Sequence, residues 1–390
     1  VTGWVRGPLS LKIESEDYKN SIFNVKAASF AFSPDKAFVK EQIIDAGNGL
    51  ESDYKRLGKK VKNKIILCNI KLATEDTSLR NVSLRAKTQF AINNKAKAII
   101  FIDERPNGAI YTGRLSFNGK PCPIPAICIN GHDGEKLRSD IVAGKKITAT
   151  LEMSNQNGIF KPRNIIGTIK GNSNPEEIVI VCGHLDSWDV GTGAIDNGMG
   201  SMEITDIART FKALNLKTKR TIWFINFMGE EIGLLGSKAF VEDLKKKDIL
   251  KNIRCVINLD ITGNPKGFRT NREEMKNFID SIGKQMNVID SVFQNKNAVE
   301  MGTSTDHQYF MMEGITVIRP INNMKTPTDC YHSDCDTFDK IYKTDMVNET
   351  RFTSMLLYSI ANANKLPEKL DVEENNKLLI KLGMKELIKK

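Results

Sequence analysis

The sequence predicts an α/β protein in two parts, a three-layer domain around a mixed, mostly parallel sheet and, ahead of it, a smaller α+β module. Two patterns carry this reading. From about Phe30 to Met153 the chain shows short apolar runs, K-I-I-L-C-N-I, A-K-A-I-I-F-I-D and I-P-A-I-C-I, separated by turns and one or two helical stretches. After Lys161 the rhythm becomes strand, helix, strand, helix, and helices alternating with fully apolar strands mean a sheet covered on both faces. A chain of 390 residues exceeds what one ordinary core organises. The expected boundaries are 1–29 as a lead-in to the larger domain, 30–155 as the small module, 156–365 as the larger domain and 366–390 as a helical tail.

In the small module, residues 77–94 read as a helix packed on the strands, and 131–142 as a second helix with Asp133 available as its cap. His132 sits at that turn as a surface or capping residue. In the larger domain the run Ile178, Val179, Ile180, Val181 has the continuous apolar character of a strand buried on both faces, and it delivers His184 and Asp186 at its carboxyl end. Open α/β sheets place their chemistry there. A helix over 199–213 follows, then a strand over 221–227, a helix over 233–244, a strand over 253–260 and a helix over 273–285. A short helix over 306–313, a strand over 315–320 and a helix over 346–363 complete the domain. Leu378, Leu379 and Leu382 recur at helical spacing in the tail, which reads as a surface helix.

Composition bounds the function. Hydrophobic residues are 40% and charged residues 27% of the chain. No apolar run approaches the ~18 residues that a membrane span needs. The formal net charge of +10 comes from lysines scattered among glutamates and aspartates, without the basic stripe and interleaved aromatics of a nucleic-acid surface, so a solvated basic surface is expected. The first residue is Val1, which implies that a preceding segment, where an export signal would lie, has been removed; a secreted or periplasmic location is expected. Seven cysteines are too few for a disulfide scaffold and too scattered for a structural zinc site. Cys68, Cys182 and Cys255 lie in strand-like runs as buried thiols. Cys330 and Cys335 instead bracket Tyr331 and His332 in a polar loop, where a small ring could rigidify the histidine.

The groups at strand ends, taken in order, are His184 with Asp186, Asp196, the pair Glu230 and Glu231, Asp260, and His332. A two-metal site needs three ligands per ion and one bridging carboxylate. His184, Asp196 and Asp260 around one ion, with Asp196, Glu231 and His332 around the other, meet this with Asp196 as the bridge. Three carboxylates against two divalent ions leave one positive charge, which a bridging hydroxide balances. Asp186, two residues beyond His184, is placed to accept the imidazole's second N–H and fix its tautomer. Glu230 and Glu231 are adjacent and diverge, so one binds metal while the other, Glu230, serves as general base. In S-T-D-H-Q-Y-F, Asp306 and His307 read as structural residues of a helix start capped by Ser304 or Thr305.

At these residues the chain resembles the co-catalytic zinc exopeptidases, a family that includes carboxypeptidase Q, secreted bacterial leucine aminopeptidases and glutamate carboxypeptidase II. G-H-L-D-S-W-D-V-G (183–191) and W-V-R-G (4–7) are similar to the carboxypeptidase Q branch, whereas C-Y-H-S-D-C-D-T (330–337) is similar to secreted aminopeptidases, whose flanking cysteines form a disulfide. The resemblance implies that His184, Asp196, Glu231, Asp260 and His332 bind two zinc ions, that Glu230 is the base and that Tyr331 donates to the oxyanion. It further implies that the small module is a protease-associated domain acting as a lid. Relatives usually carry catalytic-domain helices before the W-R-G segment, so the chain is expected to be a fragment or a processed form.

The activity expected is that of an aminopeptidase or dipeptidase acting on the N-terminal bond of short peptides. A carboxypeptidase of the glutamate-carboxypeptidase type is the alternative and would need a cationic clamp, for which Arg269 and Arg319 are the candidates. A single-zinc glutaminyl cyclase does not require all five ligands. A non-catalytic receptor-like module would be expected to have lost some of them. Side-chain preference is not legible, and a homodimer is left open.

Overall fold

The computed structural model describes residues 1–15, 23–71, 82–105, 107–116 and 118–388. It divides into two compact units: 1–161 with 188–192 and 329–336, and 162–187 with 193–328 and 337–390.

The second unit is the three-layer domain. Its sheet has seven strands in the order Ile165–Ile169, Arg220–Phe227, Asn174–His184, Ile253–Asn258, Thr316–Asn322, Pro265–Thr270, Ala298–Val299. The Asn174–His184 strand lies centrally and runs parallel to both neighbours, while the pairings of Ile165–Ile169 with Arg220–Phe227 and of Pro265–Thr270 with Thr316–Asn322 are antiparallel. The central strand explains the layers. Val179 and Val181 point to one face, against Ile204, Ile207 and Phe211 of helix Met199–Ala213 and Phe352 and Leu356 of helix Lys343–Asn362. Ile178, Ile180 and Cys182 point to the other, against Val241, Leu244, Phe310 and Met311. Both alternating sets are apolar, which is why the run reads as continuous. Leu379 of helix Val372–Lys381 and Met384 beyond it are buried in the second cluster, with Leu382, Leu387 and Ile388 packed against it, so the tail closes this core.

The first unit carries an eight-stranded sheet, with the neighbouring strands Lys36–Asp45, Ile65–Asn69, Ala98–Asp103 and Ala126–Asn130 parallel to one another. Residues 1–29, expected as a lead-in to the larger domain, belong to this unit. Leu9–Ser15 pairs antiparallel with Ile147–Ser154, and Ala27–Ser29 with Ala126–Asn130. Two helix starts also differ from expectation. The helix Gly131–Val142 is capped by Asn130, whose side chain accepts from the Asp133 N–H, so Asp133 stands in the first turn. The helix expected over 77–94 is described as Leu84–Asn93 with Ser83 as its cap, and 77–81 lie outside the described residues.

The packing of the second unit gives a direct expectation for stability. Phe352 is fully buried, and Phe352→Ala should cost about 3–5 kcal/mol, whereas Leu214→Ala, at a side chain 65% exposed, should stay within about 0.5 kcal/mol. Urea unfolding of the two variants measures the contrast, and equal midpoints would contradict the layer assignment.

Candidate metal centre

His184 is the last residue of the central strand and is 1% exposed. The strand ends beside the loop after Asn258, and a Cβ on Gly183 or Gly200 would collide with the Leu259 carbonyl, so both positions need glycine for the two loops to approach. Asn197 then ties the loops together. Its side-chain amide donates to the carbonyl of Leu259 at 2.9 Å, and its oxygen accepts from the N–H groups of Gly200 and Ile261 at 3.2 Å each. Ser201, on the helix that follows, donates to the His184 carbonyl at 2.6 Å. Sequence reading missed both residues; the D-N-G turn directly after a ligand aspartate was the available signal.

Held this way, His184 Nε2 lies 3.1 Å from Asp196 Oδ1 and 3.5 Å from Asp260 Oδ1. Its Nδ1 lies 2.9 Å from the backbone carbonyl of Asp186, an atom that only accepts, so Nδ1 carries a proton and donates it. This corrects the expectation for Asp186, whose carboxylate does not take the imidazole N–H. Oδ1 accepts from the N–H groups of Gly229 (2.7 Å) and Glu230 (3.1 Å), and Oδ2 from that of Glu231 (3.3 Å). Residue 186 therefore serves two elements: its carbonyl orients His184, and its carboxylate holds the turn that carries Glu230 and Glu231.

The electrostatics of the cluster are those of a site short of positive charge. Burial disfavours a charged imidazole, yet the carboxylates of Asp196 and Asp260 hold the proton affinity of His184 well above its ordinary value. Burial would raise the Asp260 carboxyl, but the bond to His184 and the Arg319 charge hold it below the usual carboxylate range. Glu230 is pushed well up, by burial first and then by Asp260 and Glu231, against the pull of His184. Buried carboxylates without compensation cost several kcal/mol each. The ligand atoms of His184, Asp196 and Asp260 all lie within 4.8 Å of one another, and one nitrogen with two carboxylate oxygens is a donor set suited to a divalent ion such as zinc. The residues therefore fit the metal their order in the sequence suggested.

Glu231 is 8% exposed and Glu230 is half-buried. The expected cap of the short helix is also corrected. The helix is His307–Met312, no side chain caps it, and Thr305 instead accepts from Asn258 Nδ2 at 2.7 Å. His307 is fully buried with Nε2 3.0 Å from the Gly302 carbonyl, and burial pushes its pKa down to about 3, as befits a neutral structural histidine. Burial pushes Asp306 up to about 7. Of the two arginines weighed as a carboxylate clamp, Arg269 pairs with Glu300 at 3.5 Å, and Arg319 donates to the Asp260 carbonyl at 3.0 Å.

The remaining predicted residues lie in the segment 329–336, which groups with the first unit. Cys330 and Cys335 form a disulfide, with Cα atoms 5.2 Å apart. Between them His332 has φ +54°, left-handed backbone that a histidine adopts only when its surroundings hold it there. Its ring stacks on Tyr331, with centroids 3.7 Å apart, and meets Trp188 and Tyr111 at 5.8 and 5.7 Å. Tyr331 is 40% exposed.

If Asp186 braces the Glu230–Glu231 turn, Asp186→Ala should lower its local stability by about 1–3 kcal/mol. Amide hydrogen exchange at Gly229, Glu230 and Glu231 should accelerate accordingly, and unchanged protection would contradict that role.

Comparison with known proteins agrees with this geometry. Residues 164–357 match the profile of peptidase family M28. Aminopeptidase YwaD of Bacillus subtilis is 27% identical over 88% of this chain and 72% of its own length. Carboxypeptidase Q of Xenopus laevis is 28% identical over 86% of this chain and 70% of its own. A zinc aminopeptidase structure from Bacillus subtilis superposes with a TM-score of 0.66 at 23% identity, covering 95% of this chain and 86% of that one. The chain is a peptide hydrolase and belongs to peptidase family M28.

Proposed function

We propose that this chain is a zinc exopeptidase that binds two ions and removes the N-terminal residue from dipeptides or short peptides. The observation that carries the reading is the convergence of a neutral-capable imidazole nitrogen and two buried carboxylates, His184 with Asp196 and Asp260, at the carboxyl end of the central strand. Asp196, Glu231 and His332 would hold the second ion. When bound, zinc polarises a carbonyl and acidifies water. Glu230, its carboxyl raised by burial, takes the proton from the attacking water and returns it to the departing amine. Asp186 keeps Glu230 and Glu231 in register with the other ligands through the turn amides. Tyr331 donates its hydroxyl to the developing oxyanion.

The amino-terminal reading draws on YwaD being an aminopeptidase. The carboxypeptidase reading draws on carboxypeptidase Q and on Arg319, whose guanidinium lies beside Asp260. The disulfide supports an oxidising, extracytoplasmic location. The small module is proposed to be a protease-associated domain. No helix among the described residues is long and apolar enough to cross a membrane.

Two measurements test the proposal. Glu230→Gln should keep the fold and zinc while losing about 10²–10⁴ in kcat, and full turnover would remove Glu230 from the base role. A free dipeptide, its N-acetylated form and its C-terminal amide, assayed with a chelator control, separate the specificities. Cleavage of the free and amidated forms alone is expected, and cleavage of the acetylated form but not the amide would replace this reading with a carboxypeptidase.

A further inference from the structure

The loop that carries His332 is held by Arg105 and residues 107–112 of the small module. Arg105 is the clamp. Its Nη1 donates to the backbone carbonyls of Asp329 at 2.6 Å and Tyr331 at 2.8 Å, so it holds the loop's main chain on either side of Cys330. The guanidinium is itself fixed by Asp103, whose carboxylate accepts from Nε at 2.9 and 3.0 Å and from Nη2 at 2.6 Å. Both side chains are largely buried, at 11% and 5% exposure, so this pair is shielded from competing water.

Beyond Arg105 the chain pairs with the loop residue by residue. The Thr112 N–H donates to the His332 carbonyl at 2.8 Å, Tyr111 bridges Ser333 in antiparallel fashion, and the Ile110 N–H donates to Asp334 Oδ1 at 2.9 Å. Tyr111 reaches the imidazole, with its hydroxyl 3.4 Å from His332 Nδ1. The Arg105 guanidinium lies over the Tyr111 ring at 5.6 Å and steadies it.

We infer that Tyr111, supported by Arg105, is a positioning residue for the second zinc ion: its hydroxyl oxygen accepts a hydrogen bond from the Nδ1–H of His332, which keeps the proton on Nδ1 and so leaves the Nε2 lone pair for the metal. Tyr111 thereby contributes to the affinity of His332 for the ion. The inference rests on the reading of His332 as a ligand. Two features make a merely structural role insufficient. The disulfide and the Ser333 hydroxyl bond to the Cys330 carbonyl at 2.6 Å already brace the loop internally, so a hydroxyl on the imidazole is not needed to shape it. And packing by Tyr331, Trp188 and Tyr111 fixes the plane of the ring, whereas its tautomer is set by hydrogen bonding, to which the Tyr111 hydroxyl contributes at Nδ1.

The test is zinc titration of the metal-free full chain by calorimetry, comparing wild type with Tyr111→Phe, Arg105→Lys and His332→Ala, with thermal unfolding to verify the fold. Partners of this kind typically set metal affinity by a factor of about 10–100. Tyr111→Phe should weaken one of two binding steps by that factor, leave the other unchanged, and recover kcat when zinc is raised to saturation. Arg105→Lys, which keeps the charge but not the fork, should weaken the same step. If His332→Ala loses one ion while Tyr111→Phe titrates like wild type, the positioning role is overturned and His332 stands as a ligand. If Tyr111→Phe weakens both steps equally, the residue acts through general stability and the inference is likewise overturned. If His332→Ala still binds two ions with wild-type affinity, the ligand reading itself falls and takes this inference with it.

Discussion

The second unit is organised around a cluster of carboxylates at the strand ends that outnumber the positive groups beside them, Arg319 and His184. Asp196, Asp260, Glu230 and Glu231 gather where the central strands end, in surroundings dry enough to push the Glu230 carboxyl well up and to keep His184 avid for a proton. A hydrophobic core alone would expel such a cluster, since each uncompensated carboxylate costs several kcal/mol. It persists because the sheet beneath it is rigid and because a cation is part of its chemistry. The apolar alternation of Ile178 to Cys182, committed to cores on both faces, fixes the strand so firmly that the residue at its end has little freedom to escape.

That rigidity would be wasted if the loops were free, and a small set of polar side chains prevents it. Asn197 joins three loop segments through its amide, Ser201 holds the His184 carbonyl, and Asp186 spreads one carboxylate over three amides of the next strand's turn. None of these groups needs to touch substrate. Each converts a charge or a carbonyl that burial would penalise into a geometric constraint on a ligand, which is how the metal donors are made to converge before any metal arrives. Glycines 183 and 200 permit it by letting one backbone approach another.

What could be read from the sequence, and what could not, follows from range. The strands and helices of the second unit were legible because a sheet buried on both faces demands continuous apolar runs and its helices demand period 3.6. The acidic and imidazole groups could be named from the sequence because His184, Glu231 and Asp260 lie at or within a few residues of the ends of such runs, and Asp196 in the turn-rich stretch that follows His184. The strand Pro265–Thr270 was not, since P-K-G-F-R-T carries no apolar run and is a strand only through its antiparallel partner Thr316–Asn322. The role of Asp186 was misassigned for the same reason: proximity in sequence suggested the imidazole, while the amides that claim its carboxylate lie 43 to 45 residues away. Leu9–Ser15 and Ala27–Ser29 pair with strands about a hundred or more positions downstream, which no local pattern announces.

The central claim is that the charge cluster at the strand ends is a metal centre. The most direct measurement is diffraction from crystals of the zinc-loaded protein at the zinc absorption edge. The account predicts an anomalous peak at about 2.0–2.2 Å from His184 Nε2 and from carboxylate oxygens of Asp196 and Asp260, with a second peak that shares Asp196. A zinc-saturated crystal with no peak between His184, Asp196 and Asp260 would contradict it.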